Sequence, residues 1–129
     1  MKHLKYLSLF LLFLTIGSCN ASFGDKYVIQ NLEIYFTPKN VGKHYVVAMA
    51  DYFRENNLLQ EQPHSIQMTS DENGFILNMV LDDSYKTLPT EQNNNLALLE
   101  ADIKEQVFEG LNFRIQVCNA NFVPIESPE

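Results

Sequence analysis

The chain has 129 residues, 46% of them apolar and 19% charged, with 9 lysines and arginines against 16 acids for a formal net charge of −7. That length fits one ordinary globular domain and leaves no room for a second core of useful size. The acidic balance repels phosphate backbones and anionic lipid head groups, which argues against nucleic acid as a partner and against direct electrostatic docking on a membrane.

The chain opens on a basic head, Lys2 and Lys5, followed by the uncharged run Tyr6 to Ile16 and then Gly17, Ser18 and Cys19. This is the layout of a secretory signal. The run covers 11 residues, whereas a helix crossing a hydrocarbon core needs about 20. Ile16-Gly17-Ser18-Cys19 resembles the lipobox of bacterial lipoproteins. That resemblance implies cleavage between Ser18 and Cys19, with Cys19 becoming the first mature residue and carrying the lipid. Several acyl chains anchor stably, because each buried methylene contributes about 0.8 kcal/mol. Residues 1–18 are then a leader, 19–26 the lipidated cysteine and a tether, and 27–129 a single domain. Losing the leader removes two lysines and no acid, so the charge of −7 becomes −9. Cys118 is left as the remaining thiol, and no intramolecular disulfide is available.

Within the domain, Leu32, Ile34 and Phe36 alternate with Glu33 and Tyr35, which predicts a half-buried strand. Thr37 and Pro38 stop it and open a helix carrying Val41, Tyr45, Ala48 and Tyr52 on one face, with Asn56 and Asn57 closing it. Ile66 and Met68 alternate with Gln67 and Thr69. Asn73-Gly74 then predicts a tight hairpin into Phe75 to Leu81, a strand apolar on both faces and therefore central. After a loop from Asp82 to Pro89, Thr90 is placed to cap a second helix bearing Leu96, Leu99, Ile103 and Val107, which Gly110 ends. Leu111 to Cys118 alternates cleanly as a last strand, and Phe122 to Ile125 reads as a short added edge strand.

The predicted order, strand-helix-strand-strand-helix-strand, is that of an α+β ferredoxin-like sandwich. Its four-stranded sheet carries both helices on one face, with the first and third of these strands central and parallel. Asn31-Leu32-Glu33-Ile34-Tyr35-Phe36-Thr37, Ala50-Asp51-Tyr52-Phe53, Val107-Phe108-Glu109-Gly110 and Val117-Cys118-Asn119 resemble signature blocks of a small domain appended to membrane-associated bacterial proteins. That resemblance implies a fold and a location in the cell envelope, facing the periplasm or exterior, and assigns no activity.

No G-x-S-x-G, P-loop, dinucleotide or H-E-x-x-H motif occurs. His44 and His64 lack metal-ligand spacing, so neither a metal nor a cofactor is expected. The acid pairs Asp71-Glu72, Asp82-Asp83 and Glu100-Asp102 are explained by turns and solvation, and Cys118 by an inert buried thiol. The chain is therefore expected to be noncatalytic. The second sheet face should carry Glu33, Tyr35, Gln67, Ile76, Asn78, Val80, Arg114 and Gln116, with Glu33 and Arg114 as cross-strand neighbours. If Tyr35, Ile76 and Val80 lie open to water, they form a patch suited to another envelope protein or a second copy; the plainer expectation is a solvated face with scattered apolar residues. An alternative is a small-ligand pocket between the helices and the 82–89 loop, with Asp83, Tyr85 and His64 as polar candidates.

Overall fold

The computed structural model describes residues 24–81 and 89–125. The leader with Ser18 and Cys19, and the loop candidates Asp83 and Tyr85, lie outside the described residues. The elements run β1 (Asp25–Ile29), β2 (Leu32–Phe36), α1 (Lys43–Glu55), β3 (His64–Asp71), β4 (Gly74–Val80), α2 (Thr90–Gln106) and β5 (Phe113–Cys118). They build an α+β domain on a mixed five-stranded open sheet whose strand order follows the chain, β1-β2-β3-β4-β5. The pairs β1–β2 and β3–β4 are antiparallel, while β2–β3 and β4–β5 are parallel and joined through α1 and α2.

This order corrects the ferredoxin-like expectation. In that topology the strand 32–36 needs both edges free for strands that come later in the chain. Here β1 takes one edge as a hairpin partner and β3 takes the other, so each helix returns the chain to the neighbouring strand. Residues 25–29, expected to be partly tether, are that extra strand. Glu33 and Arg114 are consequently not neighbours: Glu33 sits between Val28 and Ser65, and Arg114 lies opposite Ile76.

Both helices bury one stripe against the same sheet face, as the apolar periodicity of each demands. Val46, Met49, Ala50 and Phe53 of α1 and Leu96, Leu99 and Ile103 of α2 pack on Leu32, Ile34, Ile66, Met68, Leu77 and Met79. Each such side chain contributes about 1.5–3 kcal/mol when fully buried. At one end of this layer Tyr45, Phe75, Phe108 and Phe113 stack in sequence, with ring centroids 4.7 Å (Tyr45–Phe75), 4.6 Å (Phe75–Phe108) and 4.9 Å (Phe108–Phe113) apart.

Helix starts differ from expectation. Thr37 accepts the Asn40 and Val41 N–H groups in a turn instead of capping a helix, and α1 begins at Lys43 after Gly42, with Val41 buried in the connection. Pro89, not Thr90, precedes α2, and no side chain caps it. The end of α1 agrees with expectation, Asn57 (φ 59°) taking the left-handed conformation just beyond it, where a Cβ is costly and Gly or Asn is favoured. Helix α2 stops earlier than expected, at Gln106 with Val107 as its C-cap, and Gly110 (φ 89°) closes the turn that follows. The expected C-terminal strand is reduced to a single antiparallel bridge, Cys118 with Pro124, plus the Ile125 N–H donated to the Val117 carbonyl at 3.0 Å. Glu100 accepts the Ile115 N–H at 2.7 Å, so helix and tail together occupy part of the outer edge of β5, where bare backbone groups invite unwanted pairing.

Candidate functional site

The face turned away from the helices follows directly from the pleat, because directly paired residues point to the same side. The register lines up Lys26, Tyr35, Gln67, Asn78 and Gln116 in one row across all five strands. Val28, Glu33 and Ser65 form a parallel row on one side of it, with Val80 and Cys118 paired toward the same end. Thr69, Ile76 and Arg114 lie on the other side. All eight residues expected on this face are therefore there, and four of them fall in the central row.

Polar contacts knit the row. Glu33 accepts from the Tyr35 hydroxyl at 3.1 Å and the Ser65 hydroxyl at 3.3 Å, and its second oxygen lies 3.6 Å from Lys26 Nζ. That ion pair is part exposed and contributes at most about 1 kcal/mol. Asn78 donates to Gln67 Oε1 at 2.8 Å, while Asn78 Oδ1 is buried without a partner. Asp71, at the far end of β3, accepts from Arg114 at 3.1 Å and from the Asn73 N–H at 2.8 Å. The guanidinium and that turn N–H hold the Asp71 carboxyl below its usual pKa.

The expected open apolar patch is absent. Tyr35 is 4% exposed, Ile76 6% and Val80 1%. Part of the reason is Phe122, which forms a small cluster with Tyr35 and Val80, its ring meeting Tyr35 edge-on at 6.1 Å. Asn119 shapes this tail: its side-chain oxygen accepts the N–H groups of Asn121 and Val123, and its carbonyl accepts that of Phe122. Phe122 consequently adopts φ 60°, a left-handed conformation costing an L-residue about 1–2 kcal/mol. Burying its ring returns about 1.5–3 kcal/mol, so packing outweighs the strain. Glu33, Gln67, Arg114 and Gln116 remain half-buried and reachable.

Ser65, Lys26 and Phe122 belong to this face although the sequence reading did not single them out. Ser65 could have been found by extending the alternation of Gln67 and Thr69 back by two residues. Cys118 is fully buried, and that burial pushes its thiol pKa up to about 12. The acids named as pairs are tied elsewhere, Glu100 to β5 and Asp102 to the Tyr52 hydroxyl at 2.5 Å.

His64 is a buried strand residue opposite Leu32 on the helix-covered side, not the lining of an open pocket. Its Nδ1 donates to the Gln62 carbonyl at 2.9 Å, its Nε2 meets no donor, and burial lowers its pKa. Between α1 and α2 lies a groove of about 500 Å³ lined by Asp51, Tyr52, Glu55, Asp102 and Gln106. Among the described residues no cluster of three or more His, Cys, Asp or Glu side chains is placed to hold a metal ion. Compared with protein families, curated proteins and solved structures, the chain matches none.

Proposed function

We propose that the chain is the precursor of a bacterial envelope lipoprotein, anchored through Cys19, whose acidic domain is a noncatalytic binding module for another envelope protein or a second copy, using the second sheet face. The lipobox-like leader supports the anchor. The observation that carries the binding half is Asn78, whose amide oxygen lies buried and unpartnered between Gln67 and Gln116 in the row that starts at Lys26. Burying an acceptor without a donor costs about 1–3 kcal/mol, and a partner that displaces the neighbouring Gln67 or Gln116 side chain and delivers an N–H or O–H to this oxygen removes that cost. The structural work done by Asp71, Glu100 and Asp102 favours a binding role over acid–base chemistry.

The anchor is tested by metabolic labelling with palmitate and intact mass in a bacterial host: label on the native chain and none on Cys19→Ser is expected, and an unlabelled native chain that keeps its initiating methionine refutes it. The face is tested by placing a photo-crosslinking residue at Gln67 or Gln116 in cells, with the half-exposed Leu98 of α2 as the control (50% exposed). Discrete adducts at the first two and none at Leu98 are expected. Adducts at all three, or at none, overturn the reading.

The expected alternative, a small-ligand site, finds its best place in the groove between α1 and α2, whose volume of about 500 Å³ falls in the range of small-molecule pockets. A metabolite and cation panel that raises the melting temperature would favour it, since a ligand at a hundredfold excess over its Kd stabilises by about 2.7 kcal/mol.

A further inference from the structure

We propose that residues 119–124 form a strap, held at its far end by Ile125, that lifts from the second sheet face while the rest of the domain stays folded, uncovering Tyr35, Val80 and Cys118. The strap's hold is small and local. Its ladder contact with the sheet is the single bridge of Pro124 with Cys118, extended by the Ile125 N–H on the Val117 carbonyl. Between its ends the apolar contact is made by Phe122 and Ala120 in a cluster separate from the main core, whereas Ile125 packs against the main core and marks the strap's fixed end. Phe122 carries a left-handed backbone, and Val123 beside it is 52% exposed. Segments with few apolar contacts, edge hydrogen bonds and stored backbone strain open far more often than core strands do.

Lifting would join two surfaces now separated. Tyr35 already belongs to the central row, and Val80 pairs with Cys118 at the end the strap covers. With Phe122 removed, an aromatic and an aliphatic anchor would adjoin the rim formed by Glu33, Gln67 and Gln116, the composition of a protein-binding patch with an apolar centre and a polar margin. That use rests on the proposed binding face, whereas the motion of the strap does not.

Cys118 is a built-in reporter, because it is fully buried where the strap leaves β5. In the full chain carrying Cys19→Ser it is the sole thiol. Its reaction with an aromatic disulfide reagent, followed against urea below the unfolding transition, is expected to proceed at a rate nearly independent of denaturant. Phe122→Ala should raise that rate roughly tenfold or more, and Asn119→Ala, which loosens only the turn of the strap, should raise it in the same direction. The unfolding midpoint read by far-UV circular dichroism should stay close to that of the parent in the Asn119 variant. A rate that climbs with urea along the slope of global unfolding overturns the proposal, and so does an unchanged rate in both variants. Fast labelling combined with failed crosslinks at Gln67 and Gln116 would leave the strap standing and remove the binding reading.

Discussion

Asn78 gives its amide hydrogen to Gln67 across 2.8 Å, yet its own oxygen, equally buried, receives nothing. The residue is half satisfied on β4, an inner strand of the five-stranded sheet, where a low local dielectric makes an orphaned acceptor costly. Replacing it with leucine removes one good hydrogen bond and one unsatisfied oxygen together. These effects nearly cancel, so Asn78→Leu is expected to change unfolding free energy by no more than about 1 kcal/mol while weakening any partner that donates to the row. Urea unfolding of the isolated variant checks this. A loss of about 3 kcal/mol would mean the amide is fully satisfied in solution.

The β3–β4 turn leads to a sharper expectation. Gly74 has φ 133°, and a Cβ there would sit 2.5 Å from the Asn112 carbonyl oxygen, whose acceptance of the Phe75 N–H at 2.9 Å closes β5 onto β4. Gly74→Ala therefore meets both a forbidden backbone region and a backbone atom that cannot swing away. A loss of about 2 kcal/mol or more is expected in chemical denaturation. Asn73→Ala, which keeps the backbone N–H donated to Asp71, should cost less than half as much.

His64 sets a pH dependence. Burial lowers its pKa from 6.5, with the Gln62 carbonyl opposing the shift. The fold thus favours neutral imidazole, and between the depressed native value and 6.5 the unfolded chain binds more protons. Stability is then complete above about 6.5, declines as pH falls below it, and levels off once the native ring also protonates. Asp71, also held below its ordinary pKa, contributes in the same sense but in a lower window, its share being lost only as pH falls through the acidic carboxylate range. Urea midpoints measured from pH 7.5 down to 5 should fall for the native sequence and stay flat for His64→Phe. Parallel curves would show that the ring is hydrated in solution.

Alternation fixed which side of the sheet each residue would occupy, and it did so correctly for Glu33, Tyr35, Gln67, Ile76, Asn78, Val80, Arg114 and Gln116 because the pleat has a period of two whatever the strand order. Helical periodicity likewise marked Leu96, Leu99 and Ile103. Strand order was not readable, since it depends on which edge of β2 is free. That edge was taken by β1, a strand whose turn, Gln30-Asn31, carries none of the usual hairpin dipeptides. Exposure was misjudged for Tyr35 and Val80 because their cover, Phe122, comes from a tail with no apolar period. Its left-handed backbone is a tertiary outcome that no local propensity announces.

The same unmarked turn supports a last expectation. Gln30 holds φ 52°, a conformation that costs an ordinary L-residue about 1–2 kcal/mol and asparagine less, since a short side-chain amide bonds locally to the backbone. Glycine would also relieve the strain, but it enlarges the freedom of the unfolded chain by about 0.5–1 kcal/mol. Gln30→Asn should therefore stabilise the domain by about 0.5–1 kcal/mol, and Gln30→Gly by less, in urea unfolding. The gain should appear mainly as slower unfolding if the β1–β2 hairpin docks late and as faster folding if it forms early. Stopped-flow kinetics of the pair would then say whether β1 claims its edge of β2 before α1 carries the chain to β3, which is the step that decides this sheet's order.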